Sequence, residues 1–189
     1  MSNIAIKGAT TGTGVFTLES PATNTDRTLI LPDEAGTVLT SASSVVYPKG
    51  VPAFRAYLGS NQTVSENTWT KLQMNTESFD TNSNYDISNF RFTPTVAGYY
   101  QASVSVRNLS SSAISYCFAG IHKNGISWQQ GAAPSYLSNY AVGGCTTLVY
   151  LNGTSDYIEA YAFIQSGGTN TIETNSTQST FSGVLVRAD

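Results

Sequence analysis

Within the stretch from Asp80 to Val106, apolar residues fall at every second position on either side of a break. Phe90 and Phe92 alternate with Arg91 and Thr93, and Pro94 and Gly98 bound a break. Beyond it, Tyr100, Ala102, Val104 and Val106 alternate with Gln101, Ser103, Ser105 and Arg107. Side chains of a strand point alternately to its two faces, so the pattern predicts two half-buried strands joined by a short turn. The second strand is the longer.

The same reading extends along the chain. Residues 53–58 alternate and open a strand, and residues 68–74 form the next, with Trp69 at a core edge or an interface. A Ser-rich loop at 109–113 precedes a strand at 115–122. Residues 124–139 are predicted as a long loop carrying Trp128 and Tyr136, with Tyr140 at its exit. Cys145, Thr147, Val149 and Leu151 share one face of a further strand. In the strand after it, Ile158, Ala160, Ala162 and Ile164 share one face, and Tyr157, Glu159, Tyr161 and Phe163 the other. A polar loop at 165–180 leads to a closing strand from Phe181 to Val186. No long amphipathic helix is present. About eight to ten short strands with regular turn signals predict an all-β sandwich of the jelly-roll type. The face bearing Tyr157, Tyr161 and Phe163 is too aromatic to lie in water, and a subunit interface explains it better.

Residues 1–44 differ in kind. Three short strands, around Phe16 and Leu18, around Leu29 and Leu31, and around Val38, lie between Gly, Pro and Asp turns. They are too small for a core of their own, so the segment is expected to order only among sister chains or on a larger partner. Phe16, Leu18, Leu29 and Leu31 are its candidate anchor residues. Residues 45–52 read as a linker, and residues 53–189 as the sandwich domain.

Composition narrows the function. The chain has 189 residues, a charged fraction of 11%, a net charge of −3 and a pI near 5.0. A nucleic-acid footprint needs a basic patch, so none is expected. No run of about 20 apolar residues exists, so no membrane insertion is expected. The first residues lack the apolar core of a signal peptide, which predicts assembly in the cytoplasm of the producing cell.

Catalytic parts are few. His122 is the single histidine; the Lys123-Asn124-Gly125 turn beside it predicts a strand-end surface residue, and no G-x-S-x-G elbow accompanies it. The carboxylates Glu77, Asp80, Asp86, Glu159 and Glu173 fall among turn or surface residues. The alternation Asp80, Asn82, Asn84, Asp86 offers oxygens to Ca²⁺ but lacks the glycine and terminal glutamate of an EF-hand loop. The glycines at 8, 12 and 14 lack the Gly-Lys-Ser/Thr ending of a phosphate loop. Cys117 and Cys145 read as buried thiols or as a cross-strand disulfide; too few further ligands exist for a metal set. A non-enzymatic protein without catalytic, cofactor or metal residues is the expectation.

Two resemblances carry the reading further. Asp80, Tyr85, Phe92, Gly98 and Tyr100 fall where the C1q/TNF-like jelly-roll family has its acidic or Asn residue, aromatic, Phe, Gly and Tyr. Met74, Ala102 and Val104 stand where that family has aromatics. Lys123-Asn124-Gly125, residues 152–158 and Phe181-Ser182-Gly183 are similar to its later turn, corner and closing strand. The resemblance covers about residues 53–189, and implies a homotrimer, with Tyr157, Tyr161 and Phe163 at the interface. The N-terminal pattern of Gly12, Gly14, Pro21, Arg27, Thr28, Leu29, Leu31, Pro32, Asp33, Gly36 and Thr37 resembles a segment of tailed-phage fibre and virion proteins. It implies attachment to other virion proteins through residues 1–44, and location in the virion, on tail or capsid surface. The implied role is a fibre whose knob contacts a host-surface glycan or protein. Counted back from a closing strand that ends at the base, the turn at 94–98 and the loops at 124–139 and 165–180 fall at its tip, and Trp128, Tyr136 and Tyr140 are the candidate binding residues there. A head fibre or capsid decoration protein is the alternative, and a carbohydrate-active tail spike the rival of another class.

Overall fold

The structure is a computed structural model, and it describes residues 51–131, 138–174 and 176–189, with Thr11, Thr13, Ala22, Asp26 and Thr28. The anchor candidates Phe16, Leu18, Leu29 and Leu31 and the tip candidate Tyr136 lie outside the described residues. The chain divides into Met1–Ser43 and Ser44–Asp189, and all elements below belong to the second unit.

Thirteen strands and no helix are found among the described residues. In order they are β1 (Ala53–Tyr57), β2 (Gln62–Val64), β3 (Thr70–Lys71), β4 (Thr76–Asp80), β5 (Tyr85–Asp86), β6 (Arg91–Phe92) and β7 (Ala97–Ser110). Then come β8 (Tyr116–Lys123), β9 (Ile126–Gln130), β10 (Tyr140–Asn152), β11 (Ile158–Gln165), β12 (Asn170–Ile172) and β13 (Thr180–Ala188). The all-β expectation is met. Sheet A runs β2-β12-β7-β13-β1-β4, with β10 on the other edge of β7; sheet B runs β5-β6-β11-β8-β9, with β3 also paired to β11. All ladders within the sheets are antiparallel.

The period-two pattern decides which side chains enter the core. On β7, Tyr100, Ala102, Val104 and Val106 are buried, while Tyr99 and Gln101 are exposed and Ser103, Ser105 and Arg107 only partly covered. Rings converge between the sheets: Phe54 stacks on Phe92 at 4.3 Å and on Tyr85 at 5.1 Å, and meets Phe181 edge-on at 4.9 Å. The phenols of Tyr85 and Tyr100 escape the cost of burial by donating to the carbonyls of Met74 (2.8 Å) and Val96 (2.7 Å). Met74, Ala102 and Val104 are buried as well, so smaller apolar groups stand at the family's aromatic positions within an intact core.

Close packing makes Gly98 irreplaceable. Its φ of +155° already disfavours side chains, and a Cβ there would lie 2.2 Å from the Arg187 carbonyl oxygen at the β7–β13 bulge. Gly98→Ala is expected to destabilise the domain by about 3 kcal/mol, because backbone on both sides must move. Urea unfolding of the variant measures it; an unchanged midpoint would mean that the bulge relaxes freely.

Two stretches expected as loops contain strands. Residues 124–139 include β9, which folds back on β8, and residues 165–180 include β12. The extra strand β9 reverses the direction of everything before it. Ala97 pairs with Asn152, and Ala53 with Val184, so one end of the sandwich gathers the 94–98 turn and both domain termini. The corner at 152–156 and the turn Asn124–Gly125 join them there: Asn124 Nδ2 donates to Asp156 Oδ1 at 2.8 Å, and Lys123 pairs with Asp156 at 2.8 Å. We call this the near end. The far end holds the 111–115 connection, Gly131, Ser138 and Asn139, and the loop at 166–169, where Ser110 pairs with Asn170. The turns at 94–98 and Asn124–Gly125, expected beside that loop, therefore lie at the opposite end of the domain.

Candidate functional site

The side chains that suggested chemistry are occupied by the fold. Asp80 accepts the backbone N–H of Asn82 and of Tyr85, and Asp86 those of Ser88 and Asn89. Hydrogen bonds from Asn89 and Ser88 hold the Asp86 carboxyl below its ordinary pKa. Glu159 is buried and ion-paired with Lys71, and Glu173 pairs with Arg107 at 2.8 Å. Cys117 and Cys145 are free, buried thiols. Burial pushes the Cys117 thiol up to about 12, far from a reactive thiolate.

The outward side of sheet B carries the aromatic residues singled out in the sequence. Tyr157, Tyr161 and Phe163 are only half-buried, and the chain itself supplies most of their cover. Trp69, just before β3, lies 5.7 Å from Phe163 and 6.5 Å from Phe118, and Phe118 meets Phe163 at 6.1 Å. Gly120 leaves space beneath the indole, since a Cβ there would come within 2.7 Å of it. His122 stacks on Tyr161 with centroids 3.7 Å apart, and the Arg91 guanidinium sits 4.7 Å above the Tyr157 ring. This is a satellite cluster that docks β3, so the aromatic character of β11 has an explanation within one chain.

Exposed apolar groups lie instead on the outward side of sheet A. Leu148, Gln101 and Val184 form one row across β10, β7 and β13, and Ala53 extends it on β1. Tyr150 and Tyr99 form the neighbouring row, their rings 5.4 Å apart, and Val186 and Phe79 flank the two. Leu148 is 53% exposed and Val186 58%. Toward the middle of the sheet the surface turns polar: Ser103 Oγ and Thr146 Oγ1 are 2.9 Å apart, and Arg55, Phe79 and Ser182 line a shallow depression. Exposed apolar groups gathered beside a polar centre set this face apart from the rest of the described surface. Sequence reasoning missed it because Leu148 and Val184 alternate with core residues on strands read for their buried side alone.

The binding candidates are not brought together. Trp128 is on β9, not on a loop. It is 48% exposed, its indole N–H donates to the Leu148 carbonyl at 3.4 Å, and Lys123 Nζ lies 5.7 Å from its ring. It closes the open edge between β9 and β10. Tyr140 is at the far end, half-exposed, with the Arg107 guanidinium 5.5 Å from its ring. Eight residues of β10 separate Tyr140 from Leu148, or roughly 27 Å of extended strand. At the far end the loop after β11 is pinned by Glu66, which accepts from the backbone of Ser166 (2.7 Å) and Gly167 (2.8 Å) and from Asn170 Nδ2 (2.7 Å).

Neither a protein-family model nor a curated protein matches this chain. Solved structures do match. The globular domain of zebrafish complement 1qA protein is 17% identical, with a TM-score of 0.54, over 74% of this chain and 100% of its own. Eiger TNF from S. frugiperda is 13% identical, with a TM-score of 0.55, over 74% of this chain and 93% of its own. Murine APRIL is 8% identical, with a TM-score of 0.56, over 72% of this chain and 100% of its own. At such identities the likeness is one of fold: this domain is a C1q/TNF-like jelly roll.

Proposed function

We propose that the chain is a non-enzymatic structural protein of a tailed-phage virion, a homotrimer whose jelly roll projects from the particle and contacts the host surface. The trimer rests on one observation above the others: the exposed row Leu148, Gln101, Val184 with Tyr99 and Val186 beside it. A second copy of the chain, bringing its own apolar groups, is the occupant that this patch fits. The virion assignment rests on the likeness of residues 1–44 to phage fibre segments, which supplies an attachment device separate from the domain. The near end, where the domain begins and ends, then faces the particle, and the far end faces outward.

Host contact is placed at the far end, on Tyr140 and the loops around it. Tyr140→Ala is expected to reduce adsorption of the particle to host cells by about tenfold, the size of a moderate interface hot spot. Trp128→Ala is expected to lower thermal stability and leave adsorption unchanged, because that indole closes a sheet edge. Equal adsorption by both variants and the parent would remove receptor binding from the proposal. One observation favours the capsid-decoration reading in that case: Trp128 and Tyr140 lie far apart, so these two rings form no shared binding surface at the tip.

A further inference from the structure

His122 is buried on the outward side of sheet B, 7% exposed, and neither ring nitrogen has a hydrogen-bond partner. The imidazole lies flat on Tyr161, planes 10° apart, and its centroid is 5.8 Å from that of Trp69. Its ladder partner is Glu159, whose buried carboxylate is ion-paired with Lys71 of β3. Three fastenings thus hold β3 at the same spot: Trp69 over Gly120 and His122, Lys71 on Glu159, and the Leu72 N–H donating to the Ala160 carbonyl at 2.9 Å.

We propose that His122 is an acid-operated latch: while neutral it keeps Trp69 and β3 seated on sheet B, and when protonated it releases them. An imidazolium in this slot would have two donors, with the Gly125 backbone beside it and the Glu159 carboxylate already held by Lys71, against walls made largely of aromatic rings. The charged and titratable groups facing it can be named element by element. β11 presents Glu159, Tyr157 and Tyr161; β3 presents Lys71; β6 presents Arg91, stacked on Tyr157. β8 itself adds Lys123, held by Asp156 and by the Tyr150 carbonyl, and β9 has no titratable side chain. Glu159 is the sole carboxylate among these groups, and Lys71 already holds it. A proton on His122 either draws Glu159 away from Lys71 or drives the ring out from under Trp69. Both movements undo a fastening of β3.

Burial dominates the environment of the imidazole and lowers its pKa, opposed by the Gly125 backbone and the Glu159 charge. A histidine depressed in the closed form takes its proton more readily in the open one. The closed form is therefore fully favoured above the ordinary value of about 6.5, and loses ground as pH falls from there to the pKa of the closed form. Each pH unit inside that window favours opening by about a further tenfold.

Because His122 is the only histidine, its ring protons titrate without overlap in an NMR spectrum of the tag-free full chain. Trp128→Phe leaves Trp69 as the single tryptophan, so its fluorescence reports β3. Between pH 8 and 4.5 the expected result is one transition below 6.5, shared by the His122 ring signals, Trp69 emission and exchange of the Leu72 amide. His122→Phe, which keeps the stacking on Tyr161, is expected to abolish the Trp69 transition. Persistence of that transition in His122→Phe would overturn the proposal. So would titration of the His122 ring with no change at Trp69, a result available even where the Phe variant fails to fold.

Discussion

The double variant Leu148→Asp, Val184→Asp is expected to be a folded monomer. Both side chains point outward from sheet A in a single row through Gln101, so neither change touches the core. In a trimer closed over this face, each carboxylate would be buried without a partner, at about 4 kcal/mol apiece. That corresponds to roughly a thousandfold in the association constant for each charge. Sedimentation equilibrium at micromolar concentration checks it, with Tyr161→Asp on sheet B as the comparison. Tyr161 is stacked on His122 within its own chain, so its variant is expected to loosen β3 and remain trimeric. If Tyr161→Asp gives monomers and the double variant stays trimeric, the interface is the aromatic side of β11, as the sequence pattern suggests. If the parent protein is itself monomeric, the trimer is wrong altogether.

Deleting residues 1–44 is expected to leave a soluble, folded trimer that no longer enters particles. The elements of the jelly roll, from Ala53 to Ala188, and all of its core residues lie beyond the deletion. Attachment through Phe16, Leu18, Leu29 and Leu31 would be lost entirely, so incorporation should fall to the background of a complementation assay in which the virus lacks its own copy. Replacing only those four residues with Ser should do the same and spare the chain length. Normal incorporation of either variant would move the attachment site onto the jelly roll.

How much of this was legible in the sequence depended on the range of the interactions. The alternation on β7 and β11 gave the buried faces directly, because burial there follows residue parity, with the buried Glu159 as the exception on β11. Strand β9 was hidden because its apolar rhythm is only Ile126 and Trp128, both exposed, which is too short to tell a strand from a loop. Missing it misplaced the turn at 94–98 and the turn Asn124–Gly125 by the full length of the sandwich. The aromatic side of β11 suggests a subunit interface in the sequence, and the pattern alone does not show the cover that Trp69, far away in the chain, gives to Phe163. Pairing of that range leaves no local signal. His122 read as a strand-end surface residue, since nothing in Ile121-His122-Lys123 shows that an indole closes over it. The exposed row of sheet A was equally silent: Leu148 and Val184 differ from core residues only by parity and by what the neighbouring strands leave uncovered.

A trimeric virion appendage held by its N-terminal segment is a proposal about where the protein sits on the particle. Electron cryo-microscopy of purified particles, with and without the protein, tests it most directly. The expected difference is a threefold density on tail or capsid surface, the size of three jelly rolls, attached at the end where Ala53 and Asp189 lie and free at the end where Tyr140 lies. Particles that contain no copy of the protein, or a density attached through the Tyr140 end, would contradict it.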